Sequence, residues 1–130
     1  MPRLYREAPL NSVWEGSGNV NALDVLRAMT REPESVEAFF TEVGLADDPR
    51  VAAAVSDVQA ELAQVDEASA RRVVERLALV LQGSLLVRHA PAVVADAFCA
   101  SRLSGDWGHA FGTLPRGLDA VAIVERAAPR

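Results

Sequence analysis

Between residues 51 and 65 the apolar side chains Val51, Val55, Val58, Leu62 and Val65 recur at alternating steps of four and three. That spacing lays one continuous seam along a single face of a helix, the pattern by which antiparallel helices pack. A seam of this kind is stable only against other helices, so it commits the chain to a bundle. Asp48-Pro49 marks where the helix begins, since Asp caps free N–H groups and proline lacks only an N–H that would be unpaired there. Downstream, Val73, Val74, Leu77, Val80, Leu81 and Leu85 form a wider apolar face on a helix that starts at Asp66 and runs to Val87 or beyond, with Arg71, Arg72, Glu75 and Arg76 on its wet side. Half of the residues are hydrophobic but only 5% are aromatic, so the core these helices share is built from Val, Leu and Ala.

Other segments follow the same logic. Met1 to Gly18 has no steady period and reads as a strand-free approach ending in a tight turn. From Val20 an apolar helix follows, capped by Ser17 or Asn19, with only Asn21, Asp24 and Arg27 as a polar stripe; it expects cover on most sides, and Arg27 is placed to pair with Asp24 or with a neighbouring subunit. Pro33, Glu34 and Glu37 open a short helix through Val36, Phe39, Phe40 and Val43 that closes at Gly44. Pro91 opens another through Phe98 and Leu103, ended by Ser104-Gly105-Asp106. After the turn Pro115-Arg116-Gly117 a last helix spans 118–126, and Trp107 to Gly112 forms an aromatic loop over the bundle. No sustained two-residue alternation appears, so the fold class is all-α, a bundle of about five to six helices. A change of character near Thr30 to Pro33 places a boundary between residues 1–31 and 32–130.

The charge excludes some functions. All thirteen basic residues are Arg, and the net charge is −5. A protein that tracks phosphates carries a concentrated positive surface, so nucleic-acid binding is disfavoured, and the one basic cluster, Arg71, Arg72 and Arg76, has Glu75 in its midst. The single Cys99 allows no internal disulfide, suits a reducing cytoplasm and reads as a small core hydrophobe. The longest apolar run falls short of the ~20 residues of a membrane span. His89 and His109 lack ligand partners at metal spacing, so no metal site is expected. Ser84 and Ser104 lack a nucleophile elbow.

One segment looks built for chemistry: Trp14-Glu15-Gly16-Ser17-Gly18-Asn19, running into the apolar helix. A carboxylate between an aromatic ring and a glycine can sit in an apolar pocket, where desolvation raises its pKa towards that of a general base. Gly16 and Gly18 allow backbone to approach a ligand closely. The N–H groups of Ser17, Gly18 and Asn19 at a helix start can hold an anion. On residues alone a plain turn is the better explanation of the segment. A Rossmann site is not supported, because no third glycine stands at position 21 and no strand precedes.

The run from Arg3 to Arg27, with Trp14-Glu15-Gly16-Ser17-Gly18-Asn19 at its centre, resembles the signature late in the acyl-CoA dehydrogenases. Where most of that family reads Tyr-Glu-Gly-Thr, the Trp-Glu-Gly-Ser-Gly-Asn form is similar to its adaptive-response branch, as are Phe111-Gly-Thr-Leu-Pro115 and Ile123-Val-Glu-Arg126 near the other end. The resemblance implies the C-terminal helical part of an FAD-dependent flavoprotein that removes hydrogen from an acyl-CoA. It assigns Glu15 the abstraction of the substrate α-proton, Gly16 substrate contact, and Ser17, Gly18 and Asn19 flavin contact with Trp14 beside them. Separately, the apolar first helix must repack on the bundle or find a second copy, which makes a homo-oligomer the expectation.

The family's N-terminal helical domain, flavin-cupping β-domain and most of a second helical domain have no counterpart here. The expectation is that the purified chain neither retains FAD nor oxidises an acyl-CoA, because Glu15 without those walls would relax towards a pKa of ~4.3 in water. A reading of a different class makes the helices from Glu34 onward an oligomerisation or interaction module, with contact to DNA, a role attached to adaptive-response relatives, as a minor branch.

Overall fold

The computed structural model describes residues 2–12, 17–105 and 113–128, which form α1 (Pro2–Glu7), a 3-10 turn (Ala8–Ser12), α2 (Ser17–Arg31), α3 (Pro33–Val43), α4 (Pro49–Leu62), α5 (Ala70–His89), α6 (Ala92–Phe98), a π-helical turn (Cys99–Leu103) and α7 (Ala120–Ala127). No described residue lies in a strand, and the chain is an all-helical bundle. At twenty residues α5 is the longest element. It serves as the bundle's spine, with α2, α3, α4, α6 and the π-helical turn all packed on it.

The valine seam behaves as its spacing predicts as far as Leu62, where α4 ends and leaves Val65 beyond the helix. Val51 and Val58 are buried, while Val55, Leu62 and Val65 are half-buried. Val58 meets Val43 of α3 and Val80 of α5 at the centre, with Phe39, Phe40, Leu62, Leu77 and Leu81 around them. Small β-branched side chains let these three helices approach closely, and dispersion between their many contacting atoms holds the centre. Further along α5, Gly83 allows a similarly close approach. A Cβ built there would lie 2.8 Å from Leu103 Cδ1, so the π-helical turn seats its leucine against bare backbone.

Helix starts and stops follow local chemistry. Asp48 Oδ1 accepts from the Arg50 N–H at 2.8 Å, capping α4 as expected. Asp119 does the same for α7 from the Ala122 N–H at 3.0 Å. Gly105 and Gly117 adopt φ of 77° and 87°, so both predicted turns use glycine's left-handed freedom.

Three expectations need correction. The approach to Gly18 is not irregular throughout, because Pro2–Glu7 is helical, braced by an Arg3–Glu7 ion pair of 2.8 Å one turn apart. That helix buries none of its residues and supplies an element beyond the pattern's count. Next, α5 begins at Ala70 rather than Asp66. The Asp66 carboxylate accepts from the Ser69 N–H at 2.8 Å and its hydroxyl at 2.6 Å, while Ser69 Oγ accepts from the Asp66 N–H at 3.0 Å, closing a turn that holds the helix back. Finally, α2 is covered on one side rather than most, for only Ala22 is buried and Val20 is 55% exposed.

Two ion-pair systems tie the periphery together. Arg50 donates to Asp48 Oδ2 at 2.7 Å and crosses to Asp96 Oδ1 at 2.6 Å, joining the start of α4 to α6. Arg88 of α5 reaches Glu42 of α3 at 2.5 Å. Cys99 is fully buried, as its reading as a core hydrophobe predicts, and that burial pushes its thiol pKa up. Among the described residues no helix is long and apolar enough to cross a membrane.

Candidate functional site

Of the six residues singled out in the sequence, Ser17, Gly18 and Asn19 are described, whereas Trp14, Glu15 and Gly16 lie outside the described residues. His109 and the Trp107 to Gly112 loop lie outside them as well. The helix begins at Ser17, three residues before the expected start. Ser17 and Asn19 are therefore members of its first turn rather than its caps. The first N–H groups of any helix have no carbonyl of their own helix to bond, so the backbone at Ser17, Gly18 and Asn19 forms the positive end of the α2 dipole.

Exposure and packing define what this end can meet. Gly18 and Asn19 are exposed and Ser17 is half-buried. Just inside, Ala22 is 1% exposed, and α2 lies along α5, so the helix start is held by a packed first turn. Across from it stands Arg71, whose Nη2 lies 3.8 Å from where a Cβ of Gly18 would be. The guanidinium thus lies within van der Waals reach of the helix start.

Arg71 is the residue that sequence reasoning missed. Its place in an Arg71, Arg72, Glu75, Arg76 run marks a solvated helix face, and no local signal links it to a glycine 53 positions earlier. The structure divides that run. Arg76 pairs with Glu61, with Asp57 at 3.9 Å, and Arg72 lies 3.5 Å from Glu61. Arg71 is the member turned towards α2. A guanidinium beside a helix N-terminus sums two positive features in one exposed place, and such a place attracts an anion. Elsewhere, Arg27 pairs with Asp24 at 2.8 Å, one of the two partners foreseen for it.

These residues fit one edge of a binding site for an anionic cofactor. A helix start and a cation are present side by side. They build one wall and not an enclosure.

Comparison with known proteins finds this chain similar to part of an acyl-CoA dehydrogenase-like protein. The relative that carries this is the acyl-CoA dehydrogenase-like protein AidB of Escherichia coli (strain K12), 36% identical over 102 residues, which are 76% of this chain and 19% of AidB. The chain thus spans about a fifth of the length of that relative. No family model matches the chain, and no solved structure matches it.

Proposed function

We propose that this chain is the C-terminal helical portion of an FAD-dependent acyl-CoA dehydrogenase-like protein, with residues 1–31 ending the dehydrogenase's helical domain and residues 32–130 forming a helical extension. The observation that carries the reading is the 36% identity to AidB. The exposed start of α2 beside Arg71 supports it. In this reading Glu15 is the base that takes the α-proton of the acyl thioester, and Gly16 borders the substrate. Ser17, Gly18 and Asn19 present backbone and side-chain groups to the flavin, with Trp14 alongside. FAD, when bound, would supply an acceptor for the hydride leaving the β-carbon. The protein's own part is to hold the thioester so that Glu15 reaches the α-proton, and to keep water away while it does so.

By itself the chain neither retains FAD nor turns over substrate, because one wall excludes no water. The test joins this chain to the remainder of an acyl-CoA dehydrogenase and compares it with its Glu15→Gln variant. Exchange of the acyl α-proton with solvent deuterium should fall by at least ~100-fold, the lower range for a general base, while the flavin absorbance band survives. Equal exchange in the two proteins would overturn the assignment. A flavin band co-eluting with the isolated chain in gel filtration would overturn its expected inactivity.

A second reading, a helical module that assembles subunits, draws on the apolar side chains left outward. Leu4, Tyr5 and Leu10 near the start and Val121 and Val124 of α7 are each more than half exposed. DNA contact gains nothing from the basic cluster, where Glu61 engages Arg72 and Arg76.

A further inference from the structure

Helix α1 is six residues long, buries none of them, and packs against the 3-10 turn that follows it. Its large apolar side chains face outward: Leu4 is 65% exposed and Tyr5 81%, and Leu10 in the turn is 55% exposed. Isolated helices below ~12–15 residues are marginal in water, because most helical stability comes from an apolar face packed on something else. The Arg3–Glu7 pair adds little, since both side chains are more than half exposed. Residues 2–12 thus carry three large apolar groups on a backbone that needs a partner to keep its shape.

Size and chain length select that partner. A stable interface between separate proteins takes ~20–30 residues a side, and α1 and its turn supply six and five, so a second copy of the chain gripping this segment alone would not be held. The partner must reach further, onto the start of α2, where Gly18, Asn19 and Val20 are exposed as well. The chain spans 19% of AidB, which leaves about four fifths of that relative's length for a body large enough to cover both.

We propose that Leu4, Tyr5 and Leu10 are a docking surface for the flavin-bearing remainder of an acyl-CoA dehydrogenase-like protein, whether that remainder lies in the same polypeptide or in another; the inference rests on the flavoprotein reading above. It gives the segment a positioning role. Residues 13–16, Glu15 among them, join the 3-10 turn to α2 in sequence. Helix α2 is held by α5, so docking of residues 2–12 secures the other end of the same stretch. A reacting group fixed from both ends keeps the geometry that proton abstraction needs.

Amide hydrogen exchange read by mass spectrometry tests it, on the purified chain and on the chain joined to the remainder of a dehydrogenase. The amides of residues 4–10 should exchange in the isolated chain at nearly the rate of an unfolded peptide, and in the joined protein at least ~10-fold more slowly. Leu4→Glu with Tyr5→Glu should restore fast exchange to the joined protein and slow acyl α-proton exchange at least ~10-fold with the flavin band kept. The same pair should leave the circular dichroism of the isolated bundle intact, because α1 buries nothing. Val121→Glu with Val124→Glu on the exposed face of α7 should have neither effect in the joined protein. Fast exchange at residues 4–10 in the joined protein, or protection undiminished by the Leu4 and Tyr5 substitutions, would overturn the docking even where Glu15→Gln abolishes turnover. Protection without Glu15-dependent turnover would uphold the docking and sink the catalytic assignment instead. Slow exchange in the isolated chain would also overturn the proposal: if it grows with protein concentration the segment belongs to a second copy, and if it does not the segment packs on its own bundle.

Discussion

Asp48 performs two tasks that can be separated by substitution. Its carboxylate caps α4 through the Arg50 N–H, and it holds the Arg50 guanidinium, which in turn reaches Asp96 of α6. An N-cap is worth about 1 kcal/mol and a hydrogen bond to a charged group about 1.5–3 kcal/mol when shielded. The Asp48 side chain is 12% exposed but Arg50 is 30% exposed, so solvent screens the pair and the lower end of that range applies, about 1–1.5 kcal/mol. Asp48→Ala should therefore cost about 2–2.5 kcal/mol, and Asp48→Asn, which keeps a capping oxygen, about 1–1.5 kcal/mol. The side-chain hydrogen bond from Arg50, foremost, holds the Asp48 pKa below its ordinary value of 3.8, against the opposing effect of burial. A carboxylate whose pKa is lower folded than unfolded contributes stability that is complete above the unfolded value and disappears as pH falls through the folded one. Urea unfolding followed by far-UV circular dichroism at pH 7, and again at successively lower pH below 3.8, should show the gap between the native sequence and Asp48→Asn closing. An Asn variant as stable as the native chain at pH 7, or a gap that persists unchanged down to pH ~2, would refute the ion-pair account.

Two more outcomes probe the core. Val58→Ala removes two buried carbons from the meeting point of α3, α4 and α5, which at ~0.8 kcal/mol per carbon plus a cavity contribution costs about 2–3 kcal/mol. Val121→Ala on the exposed face of α7, where Val121 is 67% exposed, should change stability by less than ~0.5 kcal/mol; comparable losses for the two in the same urea titration would contradict the placement of the core. Cys99, fully buried with its thiol pKa pushed up by burial, should react with an aromatic disulfide reagent only as fast as the chain opens, and labelling at the rate of a free thiol in native buffer would place it at the surface instead.

The helices were legible wherever local chemistry and periodicity agreed. The Val51 to Val65 seam, the Asp48 cap and the glycine turns at 105 and 117 each depend on residues within one or two turns of one another. Where the reading went astray, a nearby competitor was at work. Ser69 and Asp66 satisfy each other and postpone α5, and the Arg3–Glu7 pair supports a helix in a segment that hydrophobic periodicity leaves blank. What could not be read were pairings across the fold. Nothing in the neighbourhood of Arg50 announces Asp96, and nothing near Gly18 announces Arg71, because each depends on how α5 and α6 cross other helices.

The electrostatics at the start of α2 restrict how the proposed reaction can work. A helix N-terminus and the Arg71 guanidinium both favour negative charge, so each would lower the pKa of a carboxylate brought near them and weaken it as a base. That field suits holding an anion. Abstraction of a poorly acidic α-proton needs the opposite, a carboxylate whose pKa is raised by removal from water. Gly18 and Asn19 are exposed, so this end of the helix supplies no such dryness. On the proposed reading the two demands are met by different partners: α2 and Arg71 attract the cofactor's anionic groups, and a cover over Glu15 makes it basic. It follows that Arg71→Ala in the joined protein should weaken FAD retention while leaving the pH dependence of α-proton exchange in place. A variant that shifted the pH profile and left FAD binding untouched would instead put Arg71 beside the base.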